Sequence, residues 1–240
     1  MQLPFEEVDN QPSPIGDIAL RRRRFAALGQ RDIYEVKLGD EFLMSSAFVE
    51  GEVALADLAL AEHGGDALSV VVGGLGLGYT ADAALRHAAV RELLVVEYLP
   101  AVIRWHEESR VPLGSVLCAD ERYRAVSGDF FSLAASEEGF DADRPGNCFD
   151  IILVDIDHSP RALLAPGSAG FYNRQGLAAL RRHLSPGGVF ALWSDDSPDA
   201  DFVARLQAAF ASAVAHVVEF DNPFLGVRAA NTVYVARNVA

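Results

Sequence analysis

One stretch decides the fold of this 240-residue chain: Val70-Val71-Val72-Gly73-Gly74-Leu75-Gly76-Leu77-Gly78. An apolar run ends there in a cluster of glycines, and a segment with helical character follows. A second apolar run, residues 93–96, ends in Glu97. Glycines let backbone N–H groups approach a ligand closely, and an acid after the second strand can hold a ribose diol. The stretch therefore predicts the first half of a nucleotide-binding α/β unit.

The composition restricts the possible partners. The chain has a formal net charge of −14, with 50% hydrophobic and 22% charged residues, which is ordinary for a globular domain. The acidic balance argues against nucleic acid and an anionic membrane surface as partners, and it is compatible with a cationic substrate. No apolar run reaches the roughly 18 residues of a membrane span. Two cysteines predict neither a disulfide framework nor a metal site. The first residues lack the apolar segment of a signal peptide, so we expect a cytoplasmic protein.

Changes of pattern along the chain predict three segments. Residues 1–16 hold three prolines and little periodicity, which predicts an irregular arm. Residues 17–48 contain short strand-like runs and predict a small N-terminal antiparallel β-domain. Residues 49–240 alternate between strands and helices, and they predict a Rossmann-like domain that carries the active site.

The alternation in the large segment predicts a doubly wound α/β fold. Apolar runs that favour strands lie at residues 67–72, 92–96, 123–126, 149–154 and 189–193. Helices are expected at residues 50–63, 79–87, 100–109, 130–138, 171–183 and 199–210. The last two strand-like runs, 215–220 and 232–236, have no helix between them, which predicts an antiparallel hairpin. We therefore expect a mostly parallel, seven-stranded sheet that ends in this hairpin.

The glycine spacing favours one class of cofactor. A nicotinamide site would need Gly-x-Gly-x-x-Gly, but Tyr79 stands where the last glycine would be, so the spacing favours an S-adenosyl cofactor. Asp129, after the third strand, can accept a hydrogen bond from an adenine amino group, with Phe130 packed on the ring. The same aspartate could instead cap the following helix. The candidate cofactor-binding residues are Gly73, Gly74, Gly76, Gly78, Glu97, Tyr98, Asp129 and Phe130.

A second group of polar residues follows the fourth predicted strand. The buried strand would deliver Asp155 to the ligand crevice, with Asp157 and His158 just beyond it. Acids gathered at a strand end are costly to bring together unless they are used. Asp155 can accept a proton from an attacking amine or hydroxyl group, and His158 could share that role or orient the substrate. These three residues are the catalytic candidates, and Trp193, at the end of the fifth strand, is a candidate wall of the substrate pocket.

These motifs, taken in order, resemble a known family. They are the small β-domain, the glycine-rich turn, Glu97, Gly128-Asp129, and the strand Phe149-Asp150-Ile151-Ile152-Leu153-Val154-Asp155. The chain resembles the spermidine synthase (polyamine aminopropyltransferase) family, within the class I S-adenosylmethionine-dependent methyltransferase fold. The resemblance implies that Gly74, Gly76 and Gly78 line the cofactor and that Glu97 holds its ribose. It also implies that Asp129 meets the adenine and that Asp155 deprotonates the attacking amine.

Departures from the family pattern concern the acceptor and the tail of the cofactor. Gly76 stands where the family has an aspartate that faces the amine end of decarboxylated S-adenosylmethionine, so ordinary S-adenosylmethionine becomes easier to accept. His158 stands at the second acid of the family's Asp-x-x-Asp-Pro motif, with Asp157 shifted by one. The family's Tyr-His-Glu aligns with Glu50-Gly51-Glu52, so its tyrosine is missing. The candidate substrate-binding residues are Glu50, Glu52, Tyr172 and Trp193.

The function hypotheses follow from these departures. The first is methyl transfer from S-adenosylmethionine to a small acceptor. The second is aminopropyl transfer from decarboxylated S-adenosylmethionine to an amine. The third is a non-catalytic protein that binds the cofactor without turnover, and a nicotinamide oxidoreductase is a distant fourth. The expected partner is a small-molecule acceptor, an amine being one possibility, and the open edges of the N-terminal sheet are compatible with a homodimer.

Overall fold

The computed structural model describes residues 5–224 and 226–239 of the chain. Its first part is a four-stranded antiparallel sheet in the order β1-β2-β3-β4. The strands are β1 (Phe5–Gln11), β2 (Ile18–Arg24), β3 (Asp32–Leu38) and β4 (Glu41–Ser45). The sheet packs against the larger domain through apolar residues of β2 and β3, because Ile18, Leu20 and Val36 belong to the same buried cluster as Val70 and Val72.

The predicted irregular arm contains a strand, whereas residues 12–16 form neither helix nor strand. Phe5–Gln11 forms β1, which pairs antiparallel with β2. Cross-strand ion pairs join Glu6 to Arg22 and Glu7 to Arg21, so the acids of β1 complement the arginines of β2. The prolines flank this strand rather than interrupt it, and tertiary pairing supplies the order that periodicity alone did not show. The remaining residues of the predicted arm before Phe5 lie outside the described residues.

The larger sheet has seven strands in the order β10-β11-β9-β8-β5-β6-β7, which confirms the predicted fold class. Its strands are β5 (Leu68–Gly73), β6 (Val90–Glu97), β7 (Tyr123–Ser127), β8 (Phe149–Val154), β9 (Leu184–Ser194), β10 (Ser212–Asn222) and β11 (Val227–Arg237). The strands from β5 to β9 pair in parallel. β11 pairs antiparallel with both β9 and β10, which forms the expected terminal hairpin.

Helices cover both faces of this sheet. They are α1 (Glu50–His63), α2 (Tyr79–Leu85), α3 (Pro100–Glu107), α4 (Gly114–Ala119), α5 (Phe130–Ala135), α6 (Arg174–Arg181) and α7 (Ala200–Ala209). The sequence did not predict α4, which is a short helix of 6 residues. The helix expected from residue 171 begins later, because Asn173 caps α6 by accepting hydrogen bonds from the N–H groups of Gln175 and Gly176. In the described part of the chain, no helix combines the length and the hydropathy needed to cross a bilayer.

The strand order determines where a ligand can bind. The chain runs from β5 outward to β6 and β7, and then returns to β8 on the other side of β5. Parallel sheets with such a reversal have a crevice at the carboxyl ends of the two strands. Gly73 ends β5 and Val154 ends β8, and the two residues are directly paired. The loops after these strands therefore form the two sides of the crevice.

Candidate active site

A cavity of about 1080 Å³ lies at the carboxyl edge of the large sheet. The N-terminal sheet and the β10–β11 hairpin form further parts of its wall. It collects most of the residues singled out in the sequence: Glu52, Gly74, Gly76, Glu97, Tyr98, Asp129, Phe130, Asp155, Asp157, His158 and Trp193. Four other candidates do not line it: Glu50, Gly73, Gly78 and Tyr172. The fold therefore brings together residues from nearly the whole length of the chain.

Gly74 shapes the turn that follows β5. Its φ is +92°, and a Cβ there would collide with the backbone carbonyl oxygen of Asp155. Glycine is required on both counts, since other residues are strained at this φ. The close approach places the glycine turn directly against the segment that carries Asp155.

Glu97 is held by backbone groups on both of its oxygens. Its Oε2 accepts from the N–H of Leu75 and its Oε1 accepts from the N–H of Leu99, each at 2.8 Å. The residue is 7% exposed. Burial raises the pKa of Glu97, while the backbone hydrogen bonds act in the opposite direction. These backbone hydrogen bonds orient the carboxylate at the wall of the cavity.

Asp129 and Phe130 both have structural contacts at the wall of the cavity. Asp129 caps α5 by accepting from the N–H of Phe131 at 3.0 Å and from the hydroxyl of Ser132 at 2.6 Å. The capping role considered in the sequence is therefore present, and the residue also faces the cavity. Phe130 is buried and stacks on Phe140 with a centroid distance of 4.8 Å. A Cβ at Gly73 would press into the Phe130 ring, so Gly73 serves this packing.

Met44 contributes to the glycine turn from the N-terminal sheet, and the sequence analysis missed it. Its Sδ lies 3.1 Å from the backbone N–H of Leu77, which donates to it. A Cβ at Gly76 would collide with the end of the Met44 side chain. The thioether therefore fills the space beside Gly76. The sequence offers no periodic or motif signal for this contact, because it depends on how the two sheets pack.

Glu52 and Asp155 form an acid pair at the wall of the cavity. Glu52 comes from α1 and is 8% exposed, and Asp155 follows β8 and is partly exposed. Burial and the nearby charge of Asp155 raise the pKa of Glu52 to about 8. Burial raises the pKa of Asp155 to about 6, opposed by a hydrogen bond from the Thr80 hydroxyl at 2.7 Å. The pair therefore holds a proton near neutral pH.

Asp157 is satisfied by its own loop. One oxygen accepts from the N–H of Leu164 at 2.7 Å. The other accepts from the hydroxyl groups of Tyr172 at 2.7 Å and Ser168 at 3.1 Å. Burial raises the pKa of Asp157 and these three hydrogen bonds lower it. Asp157 and the buried Tyr172 thus hold the loop after β8 in place.

Three candidates remain to be placed: Glu50, His158 and Trp193. Glu50 is exposed, accepts from the N–H of Val49 and does not line the cavity. His158 lies 3.2 Å from Glu41 of β4 and links the loop after β8 to the N-terminal sheet. Trp193 packs its indole nitrogen against Gly51 of α1.

Asp195 and Asn231 also lie together at the wall of the cavity. Asn231 donates from Nδ2 to Oδ1 of Asp195 at 3.0 Å, and both residues line the cavity. Asp195 lies two residues after Trp193, the candidate at the end of the fifth predicted strand, and was not itself among the candidates. Asn231 gave no sequence signal, because its place depends on the pairing of β11 with β9.

The charge of the cavity is strongly one-sided. Six carboxylic acids line it: Glu52, Glu97, Asp129, Asp155, Asp157 and Asp195. Among the described residues that line the cavity there is no lysine and no arginine, and His158 is the histidine. Such a lining attracts cations and disfavours a ligand that carries a carboxylate.

Comparison with known proteins agrees with this architecture. The chain is 30% identical over 165 residues to polyamine aminopropyltransferase 2 of Streptomyces coelicolor. The match covers 65% of this chain and 27% of that protein, so the chain spans little more than a quarter of its relative. No protein-family model matches the chain.

Solved structures show the same fold. A spermidine synthase in complex with the transition state analogue AdoDATO has a TM-score of 0.73 at 17% identity, over 96% of this chain and 73% of that one. The Thermotoga maritima spermidine synthase has a TM-score of 0.70 at 17% identity, over 95% and 71% of the two chains. Human methyltransferase-like protein 13, in complex with SAH, has a TM-score of 0.53 at 20% identity, over 79% of each chain.

The chain therefore shares the overall fold of spermidine synthases of known structure. It has the class I methyltransferase-like fold, with a four-stranded N-terminal sheet added to the seven-stranded one. The resemblance noted in the sequence is confirmed at the level of the fold.

Proposed function

We propose that this protein transfers an aminopropyl group from decarboxylated S-adenosylmethionine to an amine. The observation that carries this proposal is the acidic cavity, in which no lysine or arginine accompanies six carboxylic acids among the described lining residues. The carboxylate of ordinary S-adenosylmethionine would meet like charges there and find no cationic side chain. The decarboxylated form ends in an ammonium group, and an amine acceptor is also a cation, so both suit this lining.

The adenosine part of the donor suits the other side of the cavity. Glu97 lines the cavity and is oriented by backbone N–H groups, and its carboxylate is the acceptor for a ribose diol. Gly74 lets the turn after β5 lie against the Asp155 segment, and Gly76 leaves room for the Met44 side chain, so the turn keeps its shape at the cavity wall. The names of the similar proteins support this assignment, because they include a polyamine aminopropyltransferase and spermidine synthases. They favour the aminopropyl hypothesis over the methyl-transfer hypothesis that the loss of an acid at Gly76 suggested.

The reaction needs one proton acceptor and accurate alignment. Asp155 takes a proton from the ammonium group of the acceptor, which frees the nitrogen lone pair. The nitrogen forms a bond to the aminopropyl carbon next to the sulfonium, the carbon–sulfur bond breaks, and its electron pair remains on sulfur as methylthioadenosine leaves. Glu52 and Asp195 hold the cationic acceptor near Asp155, and Glu97 holds the adenosine. Alignment of the two reactants supplies much of the rate enhancement.

The nucleoside product distinguishes the hypotheses. The purified protein is incubated with either form of the donor and a panel of primary amines, and the nucleoside released is identified by mass spectrometry. We expect methylthioadenosine from the decarboxylated donor, and its loss in the Asp155→Asn variant. Release of S-adenosylhomocysteine from the ordinary donor would support methyl transfer instead. Binding of either donor by calorimetry without any nucleoside product would support a non-catalytic protein.

A further inference from the structure

Thr80 lies behind the acid pair, outside the wall of the cavity. It is the second residue of α2 and is 3% exposed. Its hydroxyl donates to Oδ2 of Asp155 at 2.7 Å.

The two acids differ in how well a negative charge is supported on each. Asp155 has the Thr80 hydroxyl and is partly exposed to the cavity. Glu52 is buried, and its carboxylate is supported by its own backbone N–H. A hydrogen-bond donor and solvent both favour the ionised form of a carboxyl group. The charge of the pair therefore belongs on Asp155 and the proton belongs on Glu52.

We propose that Thr80 is a positioning residue that keeps the negative charge of the acid pair on Asp155 and leaves the shared proton on Glu52. The pair is thereby ready to accept one proton at the carboxylate that faces the acceptor. The inference deepens the proposed function, because its catalytic meaning rests on Asp155 acting as the proton acceptor. The distribution of the proton can nevertheless be measured without any turnover.

The neighbouring acidic groups also favour the protonated form of Glu52. Glu50 of α1 and Asp195 after β9 both raise the pKa of Glu52 through their charges. Tyr79, beside Thr80 on α2, has its own pKa raised by burial and by Glu52 among other groups. The described lining of the cavity contains no lysine or arginine that would favour an ionised Glu52. The ordering of the two pKa values, about 8 for Glu52 and about 6 for Asp155, agrees with the hydrogen-bond geometry.

The direct test is a carboxyl ¹³C NMR titration of the ligand-free protein. Signals of Glu52 and Asp155 are assigned by their loss in the Glu52→Gln and Asp155→Asn variants. In the wild type we expect Asp155 to be ionised and Glu52 protonated at pH 7. In Thr80→Val, which keeps the shape and removes the hydroxyl, we expect the titration of Asp155 to move up by about one unit. Thr80→Ser keeps a hydroxyl and should restore the wild-type curve.

A matched control separates this effect from a general effect of losing a buried hydroxyl. Thr232 is also buried, and its hydroxyl donates to the backbone carbonyl oxygen of Asp196 at 2.7 Å rather than to a carboxylate of the acid pair. Thr232→Val should leave both titrations unchanged. Titration curves of Thr80→Val that coincide with the wild type, or a wild-type Asp155 that is protonated at pH 7 while Glu52 is ionised, would overturn the inference.

The pH dependence of the transferase reaction adds a second readout. In Thr80→Val we expect the acid limb of kcat/KM to move up by about one pH unit, with the rate loss concentrated below pH 7. A residue with a merely structural role would lower the rate equally at all pH values, and that result would contradict the assignment. If the NMR titration behaves as expected and no methylthioadenosine forms, the proposed function fails and the assignment of Thr80 stands.

Discussion

The two halves of the cavity hold their acids in different ways. On the donor side, Glu97 has a backbone N–H group on each oxygen, both from residues close to the ends of β5 and β6. On the acceptor side, Glu52 and Asp155 come from distant parts of the chain, and the Thr80 hydroxyl donates to Asp155. The difference indicates that the donor side is complete without a ligand, whereas the acceptor side keeps a negative charge for a cation to neutralise.

The largest expected effect comes from removing the proton acceptor on the acceptor side. Asp155→Asn keeps the shape of the residue and should lower kcat by roughly 10²–10⁴-fold, since the amide cannot accept the proton. Donor affinity by calorimetry should change by less than about threefold, because the donor side is built separately. Asp66→Asn, at an exposed position, is the matched control. A variant that keeps full activity would remove Asp155 from the catalytic role.

Removing Glu97, the acid on the donor side, should mainly weaken the binding of the donor. Glu97→Ala should weaken donor binding by more than tenfold, because the ribose loses its acceptor. It should also lower the free energy of unfolding by about 1–3 kcal/mol, since the N–H groups of Leu75 and Leu99 lose their partner. Calorimetry and urea denaturation measure the two effects, and circular dichroism confirms that the variant folds. Unchanged donor affinity would show that Glu97 does not hold the ribose.

The raised pKa of Glu52 predicts that the stability of the protein depends on pH. The pKa of Glu52 is about 8 in the folded protein, against 4.5 ordinarily, so the folded state binds more protons between these values. The free energy of unfolding should therefore fall as the pH rises from about 4.5 to about 8. Glu52→Gln removes this site, and it should be more stable than the wild type by about 1–3 kcal/mol at pH 8, with a smaller difference at pH 5. If wild type and Glu52→Gln differed in free energy of unfolding by the same amount at pH 5 and pH 8, the raised pKa of Glu52 would be contradicted.

The smallest expected effect concerns the contact between the two sheets at the glycine turn. Gly76→Ala adds a Cβ that meets Met44 at a φ of +48°, and it should cost about 1–3 kcal/mol of stability. Met44→Ala opens that space, so the double variant should recover about 0.5–1 kcal/mol relative to the sum of the single changes. A double-mutant cycle by urea denaturation measures this coupling. Strict additivity would show that the Met44 side chain moves aside freely.

The fold could be predicted well because it depends on repeated local patterns. Alternating apolar strands and helices indicated the mostly parallel sheet, and the missing helix between the last two strands indicated the hairpin. The first strand, Phe5–Gln11, could not be predicted in this way, because its charged residues become ordered by pairing with the arginines of β2. The short helix α4 likewise has too few residues for a reliable periodic signal.

The sequence predicted which residues line the candidate site better than it predicted the role of each residue. Strand ends marked Glu97 and Asp155, and both line the cavity. The sequence grouped Asp157 with the catalytic residues, yet both of its oxygens are occupied by its own loop. Neighbours in sequence are not equivalent after folding, because successive residues of a turn point in different directions.

The sequence by itself determined the α/β class, the glycine turn and the acids that follow the parallel strands. Each of these depends on short-range spacing, which local backbone geometry converts directly into position. Tertiary structure alone decided that Glu52 of α1 faces Asp155, that Thr80 stands behind it, and that Met44 reaches Gly76 from the other sheet. These contacts join segments far apart in the chain, and the free energy that selects them comes from packing of the whole core.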